Sequence, residues 1–176
     1  MHNADDWAPY TRLDEAAAVY LRDSVTALEA LRGVIDFDAV VSFTMERIVN
    51  EGDGDGESLY QEVVVTDGGR LILWIGDSGT DDEGSPRFTS TVRVIPLSWV
   101  YDVALQIDYR TTQDRRELHS VELVIYLGIA SETIARTPEK SDVFPEQLKF
   151  SKSPTDGGRA QAQRLIQFGK AVGAHV

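Results

Sequence analysis

Between residues 13 and 31 apolar side chains return at steps of four and three: Leu13, Ala17, Leu21, Val25, Leu28 and Leu31. That spacing places them on one face of a helix. Thr11 with Asp14 three positions on reads as a capping signal, and Gly33 as a stop. The pattern therefore predicts one helix over 11–32, behind a polar lead over 1–10. Past Phe37 the period falls to two. Ala39, Val41, Phe43 and Met45 alternate with Val40, Ser42, Thr44 and Glu46. The acidic, glycine-rich run 50–56 breaks this strand, and a second follows over 59–65. Asp67-Gly68-Gly69 supplies the positive-φ residues of a tight hairpin turn, so a third strand is expected over 70–75.

A long loop is expected over 76–87, then a strand over 88–95 that Pro96 interrupts at an edge or corner. Further strands are expected over 100–109 and 118–129, joined by a turn at 110–117. Residues 130–146 read as a surface excursion, and 147–150 as a weakly marked seventh strand. Ser153-Pro154-Thr155-Asp156 reads as a helix start, with serine capping and proline in the first turn. The stripe Ala162, Leu165, Phe168, Val172 then faces a core, giving a terminal helix over 154–173.

The sum is an α+β chain, mainly β. Six or seven antiparallel strands form a bent sheet or split barrel, capped by the C-terminal helix and carrying an extra N-terminal helix. At 176 residues one domain over 11–176 is expected, large enough for a core without covalent staples. The chain has no cysteine, which removes disulfides, thiolate nucleophiles and cysteine-ligated zinc. The first residues show no basic-then-apolar leader, and no run approaches a membrane span. The expectation is a cytoplasmic protein.

With 29 acidic and 17 basic residues the formal charge is −12. Such a chain is repelled by phosphate backbones and anionic membranes, so neither nucleic acid nor membrane is an expected partner. The densest basic group, Arg110, Arg115 and Arg116, is interleaved with Asp108, Asp114 and Glu117.

One stretch resembles known proteins. Val63-Val64-Val65-Thr66, Arg70-Leu71-Ile72-Leu73, an acidic loop, Thr89-Ser90-Thr91 and Ile95-Pro96-Leu97-Ser98-Trp99-Val100 precede a closing amphipathic helix. This order resembles an uncharacterised actinobacterial family of similar length. It also resembles bacterial domains of the pleckstrin-homology type, in which a strand ends in an isoleucine-proline step. The resemblance implies a seven-stranded bent sheet plugged by a C-terminal helix, and no enzymatic activity. Members that bind phosphoinositides carry lysines and arginines in the loop joining the first two strands. Here 50–57 holds four acids and no base. The resemblance then leaves the fold's other use, as a protein- or peptide-binding platform.

Catalytic chemistry is poorly supplied. Gly76-Asp77-Ser78-Gly79 imitates the nucleophile loop of chymotrypsin-type proteases, but the only histidine before it is His2. His2, His119 and His175 are scattered, and no phosphate-cradling glycine motif or cofactor motif is legible. No catalytic or cofactor-binding residue is assigned. A hard-cation site would draw on Asp53, Asp55, Asp81 and Asp82, with Asp77 and Glu83 nearby, although Asp53–Glu57 lacks EF-hand spacing. Trp74, Trp99 and Trp7 are the candidate interface anchors wherever they are exposed, since tryptophan is enriched at interface hot spots.

Three functions stay open. The leading one is a non-catalytic protein- or peptide-interaction module with a basic partner. The others are a carrier of a small apolar ligand in the split barrel, and a metal-assisted phosphate-ester hydrolase. The sequence leaves homo-oligomerisation open.

Overall fold

The computed structural model describes residues 6–51, 57–81, 83–112, 115–128 and 146–176. The chain is α+β and mainly β: among the described residues it forms seven antiparallel strands in two sheets and three helices, the last near the C-terminus. Among the described residues the strands close no barrel. The chain divides into two compact units, Met1–Val94 and Ile95–Val176.

The first unit contains α1 (Leu13–Tyr20), α2 (Ser24–Arg32), a 3-10 turn at Phe37–Ala39 and a sheet. The sheet holds β1 (Ser42–Glu51), β2 (Glu57–Thr66), β3 (Arg70–Thr80) and β4 (Pro86–Pro96), side by side in that order. Period-two alternation sends Phe43, Met45, Val63, Val65, Ile72 and Trp74 to one side, where they pack with both helices. Phe43 lies opposite Val65, and Met45 opposite Val63, so each cross-strand pair adds to one apolar layer.

Trp7 is fully buried in this layer, its ring 5.6 Å from Phe43 and 6.4 Å from Tyr20. The segment expected as a polar lead thus contributes a core residue. The single helix expected over 11–32 is two helices, because the chain turns extended at Leu21. Two short helices let Leu13, Ala16, Ala17 and Tyr20, then Ala27, Leu28 and Leu31, all reach the core. Thr11 does not cap α1; Arg12 holds that position and its guanidinium instead pairs with Asp14 at 3.1 Å. Gly33 does end α2.

Strand boundaries also differ from the pattern. Asp36 accepts a hydrogen bond from the Asp38 amide and folds Phe37–Ala39 into the 3-10 turn, so β1 starts only at Ser42. Asp67-Gly68-Gly69 is the expected hairpin turn: Gly68 has φ 84°, and the Asp67 carboxylate accepts from the Gly69 and Arg70 amides. The long loop expected over 76–87 shrinks to a few residues, since β3 runs to Thr80 and β4 begins at Pro86.

The second unit contains β5 (Val100–Thr112), β6 (Arg115–Leu127), β7 (Glu146–Lys152) and α3 (Gly158–Gly173), the strands in sheet order β5-β6-β7. Leu105, Leu123 and Phe150 stand in one cross-strand row. The helix buries Ala162, Leu165, Phe168 and Val172, the stripe expected from spacing. Phe168 meets Phe150 edge-on at 6.4 Å. At Gly169 a Cβ would stand 3.0 Å from a Leu123 methyl, so glycine lets the helix settle close to the sheet.

Ser153 does not cap α3. Its hydroxyl accepts from the Asp156 amide within a separate turn, and the helix starts after Gly157, both Gly157 and Gly158 having φ 76°. Only glycine takes that left-handed conformation twice in succession without strain. The expected turn over 110–117 narrows, because Arg110, Arg115 and Arg116 lie on the paired strands, Arg110 opposite Glu117. No helix among the described residues is long and apolar enough to cross a membrane.

Candidate interaction surface

In the first unit the helical corner at Arg22 and Asp23 meets the far ends of β2 and β3. Gln61 on β2 is fully buried and fixes that corner. Its Oε1 accepts from the Arg22 and Asp23 amides at 2.7 and 3.2 Å, and its Nε2 donates to the Asp23 carboxylate at 2.6 Å. Arg47 donates to the Tyr20 carbonyl at 2.8 Å and lies over the Tyr20 ring. The amides freed by breaking the helix are therefore satisfied by the sheet, which is why the break is stable.

Next along β3, Trp74 folds its indole over Gly76. A Cβ on Gly76 would fall inside contact distance of the Trp74 ring, and 3.1 Å from the Phe88 ring. Trp74 Nε1 donates to Ser90 Oγ at 2.9 Å, tying β3 to β4. Ser78 lies in β3 opposite Leu59, and its Oγ donates to the Leu59 carbonyl at 3.4 Å. Its protease-like context is thus strand, not loop.

Past this point the β3–β4 ribbon is bare. Residues 86–91 are exposed without interruption, on both faces of β4. Each face borders a recess. On the helix side, Leu59, Ser78, Pro86 and Phe88 meet Arg22 and Asp23 around a space of about 370 Å³. On the other side, Ile75, Asp77, Thr80, Thr89 and Thr91 line a space of about 350 Å³. Gly79 and Arg87 border both, and Gly79 leaves open space where a side chain would stand. The first recess has an apolar wall; the second is lined by threonine hydroxyls with one carboxylate, Asp77, and one guanidinium, Arg87.

Carboxylates stand on the same face of the sheet. Tyr60 lies directly across from Asp77, and Glu46 across from Glu62. The Tyr60 hydroxyl is pushed well above the ordinary tyrosine range, first by burial and then by Glu62, Glu46 and Asp77.

The candidates named from sequence separate cleanly. Trp7 and Trp74 are both fully buried and serve the core of the first unit. Trp99 is 46% exposed in the second unit, where its carbonyl accepts from the Gly128 amide at 2.7 Å. Nearby, Tyr101 and Tyr126 pair with ring centroids 6.0 Å apart. Asp81 uses its carboxylate to close the β3–β4 hairpin, accepting from the Glu83 and Ser85 amides. Asp53, Asp55 and Asp82 lie outside the described residues. Among the described residues no group of three or more His, Asp or Glu side chains could hold a metal ion. Phe43, Leu73 and Leu123 fill interior positions.

Only half of the ribbon is legible in sequence: the strand expected over 88–95 is β4, while Gly76-Asp77-Ser78-Gly79 has weak strand propensity and reads as loop. The available signal was in β4, where Arg87, Thr89, Thr91 and Arg93 alternate with Phe88, Ser90, Val92 and Val94. Comparison of the chain with protein-family models, with curated proteins and with solved structures finds no match.

Proposed function

We propose that this protein is a non-catalytic interaction module whose acidic first unit engages a basic protein partner. The observation that carries the reading is the placement of charge. Residues 1–94 hold 19 acids and seven arginines with no lysine, while residues 95–176 hold ten acids and ten bases. The whole formal charge of −12 therefore belongs to the first unit. A field confined to one unit steers encounter with a positively charged surface and rejects anionic ones.

Other features support the same reading. Ser78 donates to a backbone carbonyl, and Asp81 accepts the amides that close its turn. Seven strands followed by a terminal helix agree in order with the pleckstrin-type resemblance, which stays a proposal along with a cytoplasmic location.

The test is photo-crosslinking in the source cells, with the crosslinker placed at Thr91 in one strain and at Ala160 in another. The expected result is a discrete partner of net positive charge from Thr91 alone. Its complex with the purified protein should weaken steeply between about 20 and about 300 mM salt. A partner of net negative charge, or capture indifferent to salt, overturns the reading.

A further inference from the structure

We infer that this protein forms a two-fold dimer through its second unit, in which the outer edges of two β5 strands pair antiparallel about Gln106. The inference goes beyond the basic-partner reading, since it assigns a different surface to a different occupant, a second copy of the chain.

Backbone availability comes first. In the sheet order β5-β6-β7, β5 has a hydrogen-bonded neighbour on one side only, among the described residues. Edge strands in monomeric proteins are usually blunted by lysine, proline, bulges or inward-pointing charge. Over 102–110 β5 has no lysine and no proline. The two register shifts against β6 add Tyr101 before this span and His119 on β6, so the outer edge itself runs unbroken. Its charged residues, Asp102, Asp108 and Arg110, fall on the face away from Val103, Leu105 and Ile107.

That apolar face is unfinished. Gly169 and Gly173 of α3 stand over Leu105 and Val103, so this is the helix side of the sheet. Val103, Leu105 and Ile107 are only half-buried there, whereas Ile125, Leu123 and Val121, directly opposite on β6, are fully buried. Tyr109, next in the row, is exposed. One more strand would cover all four.

Self-complementarity selects the occupant. An antiparallel neighbour keeps apolar face beside apolar face only in alternate registers, and pairing about Gln106 is one of them. It sets Asp102 against Arg110 of the second copy, and symmetry makes that pair twice. Val103 meets Tyr109 and Leu105 meets Ile107, again twice each. Asp108 faces only Ala104, and its carboxylate already accepts from Ser120 and Gln106 of its own chain. A slip of two residues one way opposes Asp102 to Asp108. The other way leaves both Asp102 and Arg110 opposite uncharged residues. The β4 edge offers no such match, since it carries Arg87 and Arg93 and no acid. The second unit, with ten acids and ten bases, adds no net repulsion of its own.

The experiment measures sedimentation of the full chain from about 1 to about 500 μM, in about 150 mM salt to screen the repulsion between first units. A concentration-dependent dimer is expected, with amides over 102–110 gaining hydrogen-exchange protection as it forms. Arg110→Asp alone and Asp102→Arg alone should each weaken the dimer about tenfold, because each opposes like charges twice. Mixing the two single variants should restore association as a heterodimer, and the chain carrying both substitutions should dimerise like the parent. Within one strand the two positions lie about 26 Å apart, so such rescue can arise only between chains. Both residues are exposed, and every variant should keep the parental unfolding midpoint. A monomer at every concentration overturns the inference and leaves the edge to a strand of another protein. A dimer indifferent to both reversals, a mixture without rescue, or protection over 86–94 instead of 102–110 overturns it as well.

Discussion

Gly76 and Trp74 show how one residue can be spent to seat another. A strand interior disfavours glycine by up to about 1 kcal/mol, since it has no side chain to pack and more freedom to lose. Here the missing Cβ is what lets the indole lie along the strand and reach Ser90. Gly76→Ala should therefore destabilise the chain by about 2 kcal/mol, the usual cost of overpacking. Urea unfolding followed by tryptophan fluorescence would read it, and an unchanged midpoint would refute the contact. Asp67 offers a titratable counterpart. Burial works to raise its pKa, but hydrogen bonds from the Gly69 amide and from Arg70, with the Arg70 charge, hold it below its ordinary 3.8. A depressed carboxylate contributes stability above its unfolded value and loses it as pH falls through the folded one. Asp67→Asn should flatten the decline of stability below about pH 4 relative to the parent. Parallel acid-melting curves for the two proteins would show that the turn carries no such linkage.

At the scale of elements, alternation and turn chemistry carried most of the legible information. Phe43, Met45, Val63 and Val65 betray their shared face by spacing alone, and Asp67-Gly68-Gly69 marks its hairpin. The misreadings share a cause: a local signal was outweighed by a distant partner. Leu21 and Val25 continue a helical stripe, yet Gln61, some forty residues on, accepts the amides of Arg22 and Asp23 and breaks the helix; Val25 ends exposed. Gly76-Asp77-Ser78-Gly79 looks like a loop, yet β2 pairs with it through Leu59 and Tyr60. Ser153 looks like a cap, yet two left-handed glycines place the helix start later. The candidate surface was hidden for the same reason, since it depends on that unrecognised length of β3. Gln61→Leu tests the corner directly. It keeps the volume but takes the acceptor from two part-buried amides and removes a donor to Asp23, so a loss of about 1–2 kcal/mol is expected. Faster hydrogen exchange at Arg22 and Asp23, with β1 and β2 unchanged, would locate the effect; a uniform change across the sheet would contradict it.

At the scale of the whole molecule, the segregated charge has a stability consequence apart from any partner. Nineteen acids against seven bases repel one another within a single unit, whereas ten against ten in the second unit largely cancel. Self-repulsion of this kind opposes the compact state and is relieved by screening once the Debye length falls to about 10 Å. Glu29→Gln with Glu83→Gln removes two exposed acids from the first unit; Glu117→Gln with Asp102→Asn removes two exposed acids from the second. In low-salt buffer the first pair should raise stability by a few tenths of a kcal/mol per substitution, while the second pair should leave it unchanged or slightly lower. At about 0.5 M salt the difference between the two double variants should vanish, because long-range repulsion no longer reaches across the unit. Thermal unfolding at both ionic strengths decides the matter. If the two pairs behave alike at low salt, the charge asymmetry written in the sequence is not felt by the fold. A basic partner would then have to be recognised through local contacts rather than through the field of the unit.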